Sequence, residues 1–130
     1  MSDRKKILLV DDDPDTLEAL AIDLEGAGFE VLPAGGEEQA EEMLLRVQPD
    51  LAIVDLMMEN MDSGFALSHR LKQLYPDTPV IILTSAVAKT RLDLTPVAGD
   101  GRPWIKADAW LDKPARPEQL RAQIARLIGE

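Results

Sequence analysis

The sequence contains no cysteine, which excludes disulfides and thiolate metal sites as supports of the fold and suits a reducing compartment such as the cytoplasm. Histidine is almost as scarce. His69 stands alone, far from any second ligand of the kind a zinc site needs. Positive charge is in deficit, with 14 Lys and Arg against 24 Asp and Glu and a formal net charge of −10. Affinity for nucleic acid comes largely from cationic side chains displacing counterions, so this balance argues against a nucleic-acid partner. Long apolar runs are missing too. Arg4, Lys5 and Lys6 precede an apolar stretch in the manner of a signal peptide, but it spans only Ile7 to Val10 before three aspartates. That is too short for export or membrane insertion. No repeat, low-complexity tract or linker divides the 130 residues, a length that suits one domain burying about 68% of its unfolded surface. Because the chain stops at Glu130, the expectation is a single domain over residues 1–130 with no output domain after it.

Strand and helix patterns alternate along the chain. Ile7 to Val10 reads as a strand. Asp13 then offers an N-cap and Pro14 a first helical position, followed by the stripe Leu17, Leu20, Ala21, Leu24 and a stop at Gly28. Glu30 to Ala34 reads as a second strand. Gly35 and Gly36 break it, and Glu37 and Glu38 suit the positive end of a helix that carries Ala40, Met43, Leu44 and Val47 and stops before Pro49. A third strand over Leu51 to Asp55 is followed by a helix from about Ser63 to Tyr75, ended by Pro76. Val80 to Thr84 is almost wholly apolar, as expected of a strand covered on both faces. A short fifth strand over Ala109 to Asp112 precedes a helix opened by Pro117, with Leu120, Ile124, Leu127 and Ile128 inward. This alternation predicts an α/β doubly wound, five-stranded parallel sheet with right-handed crossovers.

Four of the apolar runs end on residues that phosphoryl chemistry can use: Asp11, Asp12 and Asp13 after the first, Asp55 closing the third, Thr84 closing the fourth, and Lys113 just after the fifth. In an open parallel sheet the carboxyl ends of the strands share one edge, where ligands bind. Crowded carboxylates need a reason, since two like charges at ~4 Å repel by about 4 kcal/mol at an effective dielectric of 20, a cost a divalent cation removes. Helix capping accounts for Asp13 and Asp15 but not for the adjacent pair Asp11 and Asp12.

An acidic cluster, a lone Asp, a Thr and a Lys-Pro pair at successive strand ends, in that order, resemble the receiver domain of two-component response regulators, over nearly the whole chain. The resemblance implies a CheY-like, flavodoxin-like (βα)5 fold with strand order 2-1-3-4-5. It implies that Asp55 accepts a phosphoryl group from a histidine kinase or histidine phosphotransfer protein. Mg²⁺ would be held by Asp12 directly, by Asp11 partly through water, by Asp55, and by the main-chain carbonyl of Met57. That donor set matches the cation's preference for octahedral oxygen ligands. Lys113 would reach the phosphoryl oxygens, as a cationic clamp does in phosphoryl transfer, and the Lys113–Pro114 peptide would be cis. Thr84 would be the switch hydroxyl and Trp110 the aromatic that follows it. Output would pass to an unknown downstream protein, pairing of two copies is left open, and the only reactions expected are self-catalysed phosphorylation of Asp55 and slow autodephosphorylation.

The chain also departs from the family pattern. Glu59 stands where the family usually has Pro, and Ser63 separates Asp62 from Gly64, which makes the loop after Asp55 longer and less rigid. Ser85 to Ala109 is too long for a bare loop in a compact domain. It is expected to be a remodelled, mobile fourth-helix region that exposes Leu94, Val97 or Trp104 to partners. Met57 and Ala86, two residues beyond Asp55 and Thr84, cannot orient a water by hydrogen bonding, so slow hydrolysis of the phosphoaspartate is expected. Two alternatives compete. A haloacid-dehalogenase-type phosphohydrolase would use Asp11 as nucleophile, Thr84-Ser85 as its second motif and Lys113 as its Lys, but it leaves Asp55 unexplained and has only Asp112 as a late acid. A phosphate-independent interaction module would merely keep the fold.

Overall fold

A computed structural model describes residues 5–55, 63–84, 108–112 and 116–128; for residues 63–66, Thr84, Trp110 and Asp112 it describes the backbone alone. The elements in chain order are β1 (Lys6–Val10), α1 (Pro14–Gly26), β2 (Glu30–Ala34), α2 (Glu37–Leu44), β3 (Leu51–Asp55), α3 (Ser63–Leu74), β4 (Val80–Thr84), β5 (Ala109–Asp112) and α4 (Pro117–Ile128). All five strands pair in parallel in the order β2-β1-β3-β4-β5, the flavodoxin-like order expected. β1 and β3 lie at the centre, where the chain winds outward in two directions.

The continuous apolar runs follow from burial on both faces, because successive side chains of a strand point to opposite sides. Leu8, Val10, Ala52, Val54, Val80 and Ile82 pack with Ala40 and Leu44 of α2 and Leu67 and Leu71 of α3. The alternate set, Ile7, Leu9, Leu51, Ile53, Ile81 and Leu83, packs with Leu20 and Leu24 of α1 and Leu120 and Ile124 of α4. Each helix therefore lays its stripe on one face of the sheet. Leu17 and Ala21 of α1 and Leu127 and Ile128 of α4 complete that second core from partly buried positions.

Local chemistry sets the helix ends. Asp13 caps α1 by accepting from the Asp15 N–H at 3.0 Å and from the Thr16 hydroxyl at 3.0 Å, with Pro14 at the first position. Past its C-terminus Gly28 takes φ of 101°, a backbone region that L side chains rarely adopt, and the Phe29 N–H returns to the Leu24 carbonyl. α2 ends at Leu44, short of the Val47 that its apolar spacing includes; the chain turns there, and the Tyr75 hydroxyl donates to the Leu44 carbonyl at 2.6 Å. Among the described residues no helix is long and apolar enough to cross a membrane. The remodelling expected over residues 85–109, with Leu94, Val97 and Trp104, lies outside the described residues except for Asp108 and Ala109.

Candidate functional site

The register of the central strands brings the acids together. Val10 pairs with Val54, so Asp11, one step on, arrives beside Asp55, the last residue of β3. Asp55 shares its parity with Leu51 and Ile53, and Asp11 with Ile7 and Leu9, so both lie on the sheet face covered by α1 and α4. The carboxylates of Asp11, Asp12 and Asp55 each offer an oxygen, and these oxygens lie within 4.8 Å of one another. Asp11 is 1% exposed and Asp55 4%, whereas Asp12 faces solvent. The pocket thus has a buried floor and an open, acidic mouth.

Backbone bonds hold the floor in place. The Asp11 N–H continues the β1–β2 ladder to the Ala34 carbonyl at 3.2 Å. The Asp13 N–H donates to Asp11 Oδ1 at 2.9 Å, closing an Asx-type turn that swings the chain from β1 into α1. Asp13 is therefore committed to the cap, as the sequence implies. Hard oxygen donors at this spacing suit a small divalent cation that keeps several waters. The lone His69 is exposed on α3, in keeping with a surface residue.

The remaining sequence candidates are placed only in part. Thr84 closes β4 and pairs with Asp112, and Trp110 of β5 pairs with Ile82 of β4; for Thr84, Trp110 and Asp112 the structure describes the backbone and not the side chains. The β4–β5 register thus ends at the same sheet edge as Asp11 and Asp55. Met57, Glu59, Asp62, Ser85, Ala86, Lys113 and Pro114 lie outside the described residues, as does the peptide expected to be cis. One polar junction carried no sequence signal at all. At the opposite edge of the sheet, Asp108 Oδ2 accepts from the Val80 N–H at 2.8 Å and from the Lys72 ammonium at 2.9 Å. These partners are 28 and 36 residues away in the chain, and nothing local marks them.

Comparison with known proteins accords with this geometry. The family model for the response regulator receiver domain matches residues 7–125. The phosphate regulon transcriptional regulatory protein PhoB of Pseudomonas aeruginosa is 36% identical over 126 residues, covering 95% of this chain and 52% of PhoB. The DNA-binding response regulator MtrA of Mycolicibacterium smegmatis is 34% identical over 125 residues, covering 95% of this chain and 51% of MtrA. The chain thus spans about half the length of the curated relatives it matches. A receiver domain protein from Clostridium thermocellum superposes with a TM-score of 0.80 at 28% identity, covering 96% of this chain and 94% of that one. The response regulator TrrA of Thermotoga maritima, crystallised in complex with Mg²⁺ and BeF, gives 0.76 at 27%, covering 95% and 98%.

These relatives correct one expectation. The exclusion of nucleic acid as a partner rested on a net charge of −10, yet this stretch is matched in a protein named as DNA-binding and in a transcriptional regulatory protein. The acidic balance describes the matched stretch alone, and a DNA-contacting surface elsewhere in a longer protein leaves no mark on it. The comparisons do not favour the phosphohydrolase or the phosphate-independent module. Matched by the family model from Ile7 to Ala125 and aligned with PhoB along 95% of its length, the chain belongs to the response regulator receiver domain family.

Proposed function

We propose that this receiver is a phosphorylation switch in which Asp55 accepts a phosphoryl group from the phosphohistidine of a histidine kinase or histidine phosphotransfer protein. Receiver domains are in general phosphoacceptors rather than enzymes, and they bind Mg²⁺ at an acidic pocket. The observation that carries the reading is the Asp55 carboxylate, buried at the carboxyl end of a central strand within 4.8 Å of two further carboxylates. In the transfer, an Asp55 oxygen bonds to phosphorus as the phosphorus–nitrogen bond of the donor breaks, and the imidazole leaves with the nitrogen electron pair and takes up a proton. Asp11, Asp12 and Asp55 would hold Mg²⁺, with the Met57 carbonyl as a further ligand by family resemblance. When bound, the ion supplies positive charge that offsets the crowded carboxylates and the incoming phosphoryl oxygens.

This chain's own residues do the rest. Burial limits water at the Asp55 carboxylate, and the Asx turn holds the Asp11 carboxylate beside it. Lys113 is assigned to the phosphoryl oxygens, and Thr84 and Trp110 to the response. The output we propose is nucleic-acid-linked, on the model of the DNA-binding response regulator MtrA. A cytoplasmic site of action fits a chain without cysteine. Acetyl phosphate with Mg²⁺, followed by peptide mass spectrometry, tests the reading: wild type should gain one phosphoryl group on Asp55, and Asp55→Ala none. A phosphoryl group on Asp11 instead would transfer the case to the phosphohydrolase.

A further inference from the structure

Asp108 ties three elements together where the chain rejoins the sheet. Its Oδ2 accepts from the Val80 N–H at 2.8 Å and from the Lys72 ammonium at 2.9 Å. Its own N–H donates to the Val80 carbonyl at 2.8 Å, and its carbonyl accepts from the Arg126 guanidinium of α4 at 3.3 Å. Lys72 is itself fixed by a second bond, to the Thr78 carbonyl at 2.8 Å, and its side chain is only 15% exposed. One residue thus links α3, the start of β4 and α4 immediately before β5 begins.

β5 needs such a fastening. It has four residues and lies at the edge of the sheet, paired with β4 alone. The ladder to β4 has only four residue pairs, and a slip of one residue would send every side chain to the opposite face. The observed register places Asp112 beside Thr84, and Lys113 is the next residue in the chain. The acids of the pocket come from the turn after β1 and from β3, and none is covalently close to β5.

We propose that Asp108 is a positioning residue for phosphoryl transfer: by fastening the amino end of β5 to β4 and α3, it sets the register that places Asp112, the residue before Lys113 in the chain, beside Thr84 at the carboxyl edge. The proposal rests on the assignment of Asp55 as phosphoacceptor. It separates two properties that general destabilisation would not separate. Loosening β5 slows the phosphoryl step, whereas Mg²⁺ affinity, which depends on acids borne by other elements, holds.

The test uses the full chain as wild type, Asp108→Ala, Asp108→Asn and Lys72→Met. Asn keeps an oxygen for the Val80 N–H but gives up the charge that holds Lys72. Three quantities are compared: amide hydrogen exchange in β5 against β3, Mg²⁺ affinity by calorimetry, and the initial rate of Asp55 phosphorylation by acetyl phosphate at saturating Mg²⁺. Asp108→Ala is expected to speed exchange in β5 selectively and to lower the rate by roughly 10- to 100-fold, the cost of misplacing a reacting group by about 1 Å, at unchanged Mg²⁺ affinity. Asp108→Asn should recover much of the rate, and Lys72→Met should fall between them; these two decide the matter if Asp108→Ala does not fold. An unchanged rate, or a rate that falls only in step with Mg²⁺ affinity, would overturn the proposal. A wild type that takes no phosphoryl group on Asp55 defeats the functional reading and the positioning role with it, and the control shows this before any variant is compared.

Discussion

Replacing Asp55 by Asn should make the cation-free protein more stable, even though it removes the proposed phosphoacceptor. At the 4.8 Å that bounds the spacing of the three carboxylate oxygens, two like charges repel by about 3.5 kcal/mol at an effective dielectric of 20 and by about 0.9 kcal/mol in bulk water. Asp11 and Asp55 are both buried, so their pair lies toward the larger figure. Asp12 is exposed, and its repulsion of Asp55 lies toward the smaller. Asp11 and Asp55 also take part in further interactions that the substitution would change, so less than the full repulsion is expected back. Asn keeps the shape of the side chain while giving up its charge, and a net gain of about 1–2 kcal/mol remains, equivalent to a rise in Tm of roughly 4–8 °C for a domain of this size. Thermal melts followed by circular dichroism, first in EDTA and then in Mg²⁺, measure it. Wild type should gain stability with Mg²⁺, because a ligand of the folded state stabilises it by mass action, and Asp55→Asn should gain much less. If Asp55→Asn melts at or below wild type in EDTA, or if Mg²⁺ raises both curves equally, the three carboxylates do not form a repulsive cation site.

Other outcomes follow from single contacts. Asp13→Ala removes the acceptor for the Asp15 N–H and the Thr16 hydroxyl and should cost about 1 kcal/mol, read from a denaturant midpoint. Gly28→Ala meets no neighbouring atom but must hold φ near 101°, so a loss of about 1 kcal/mol is expected from backbone strain alone. Leu71→Ala, at a fully buried site between α3 and the sheet, should cost about 2–5 kcal/mol in urea unfolding. The phosphoaspartate, with Met57 and Ala86 at the two flanking positions, should outlast desalting; its complete loss within seconds would count against the reading of those two positions.

Much of this molecule is legible in one dimension because its strands are buried on both faces. Runs such as Ile7 to Val10, Leu51 to Val54 and Val80 to Leu83 stand out from the helical stripes between them, and those stripes are bounded by turn residues such as Asp13, Gly28, Gly36 and Pro76. Strand ends are legible for the same reason, and with them Asp11, Asp12 and Asp55. Helix ends are less so: Val47 fits the apolar spacing of α2, yet the chain turns after Leu44. The expectation of no output domain came from the position of Glu130, and no residue inside a domain reports what is attached to its ends. The exclusion of nucleic acid does not hold, since the net charge of this stretch describes this stretch alone.

The sequence alone determined which segments are strands, which faces of the helices turn inward, and which acids stand where strands stop, because periodicity and capping act over a few residues. Only the tertiary structure decided that β1 and β3 lie side by side in register, so that oxygens of Asp11, Asp12 and Asp55 come within 4.8 Å. It also decided that Asp108 meets Lys72 and Val80. Pairing between distant segments is set by which faces can be buried together, and that is a property of the assembled sheet rather than of any stretch of chain.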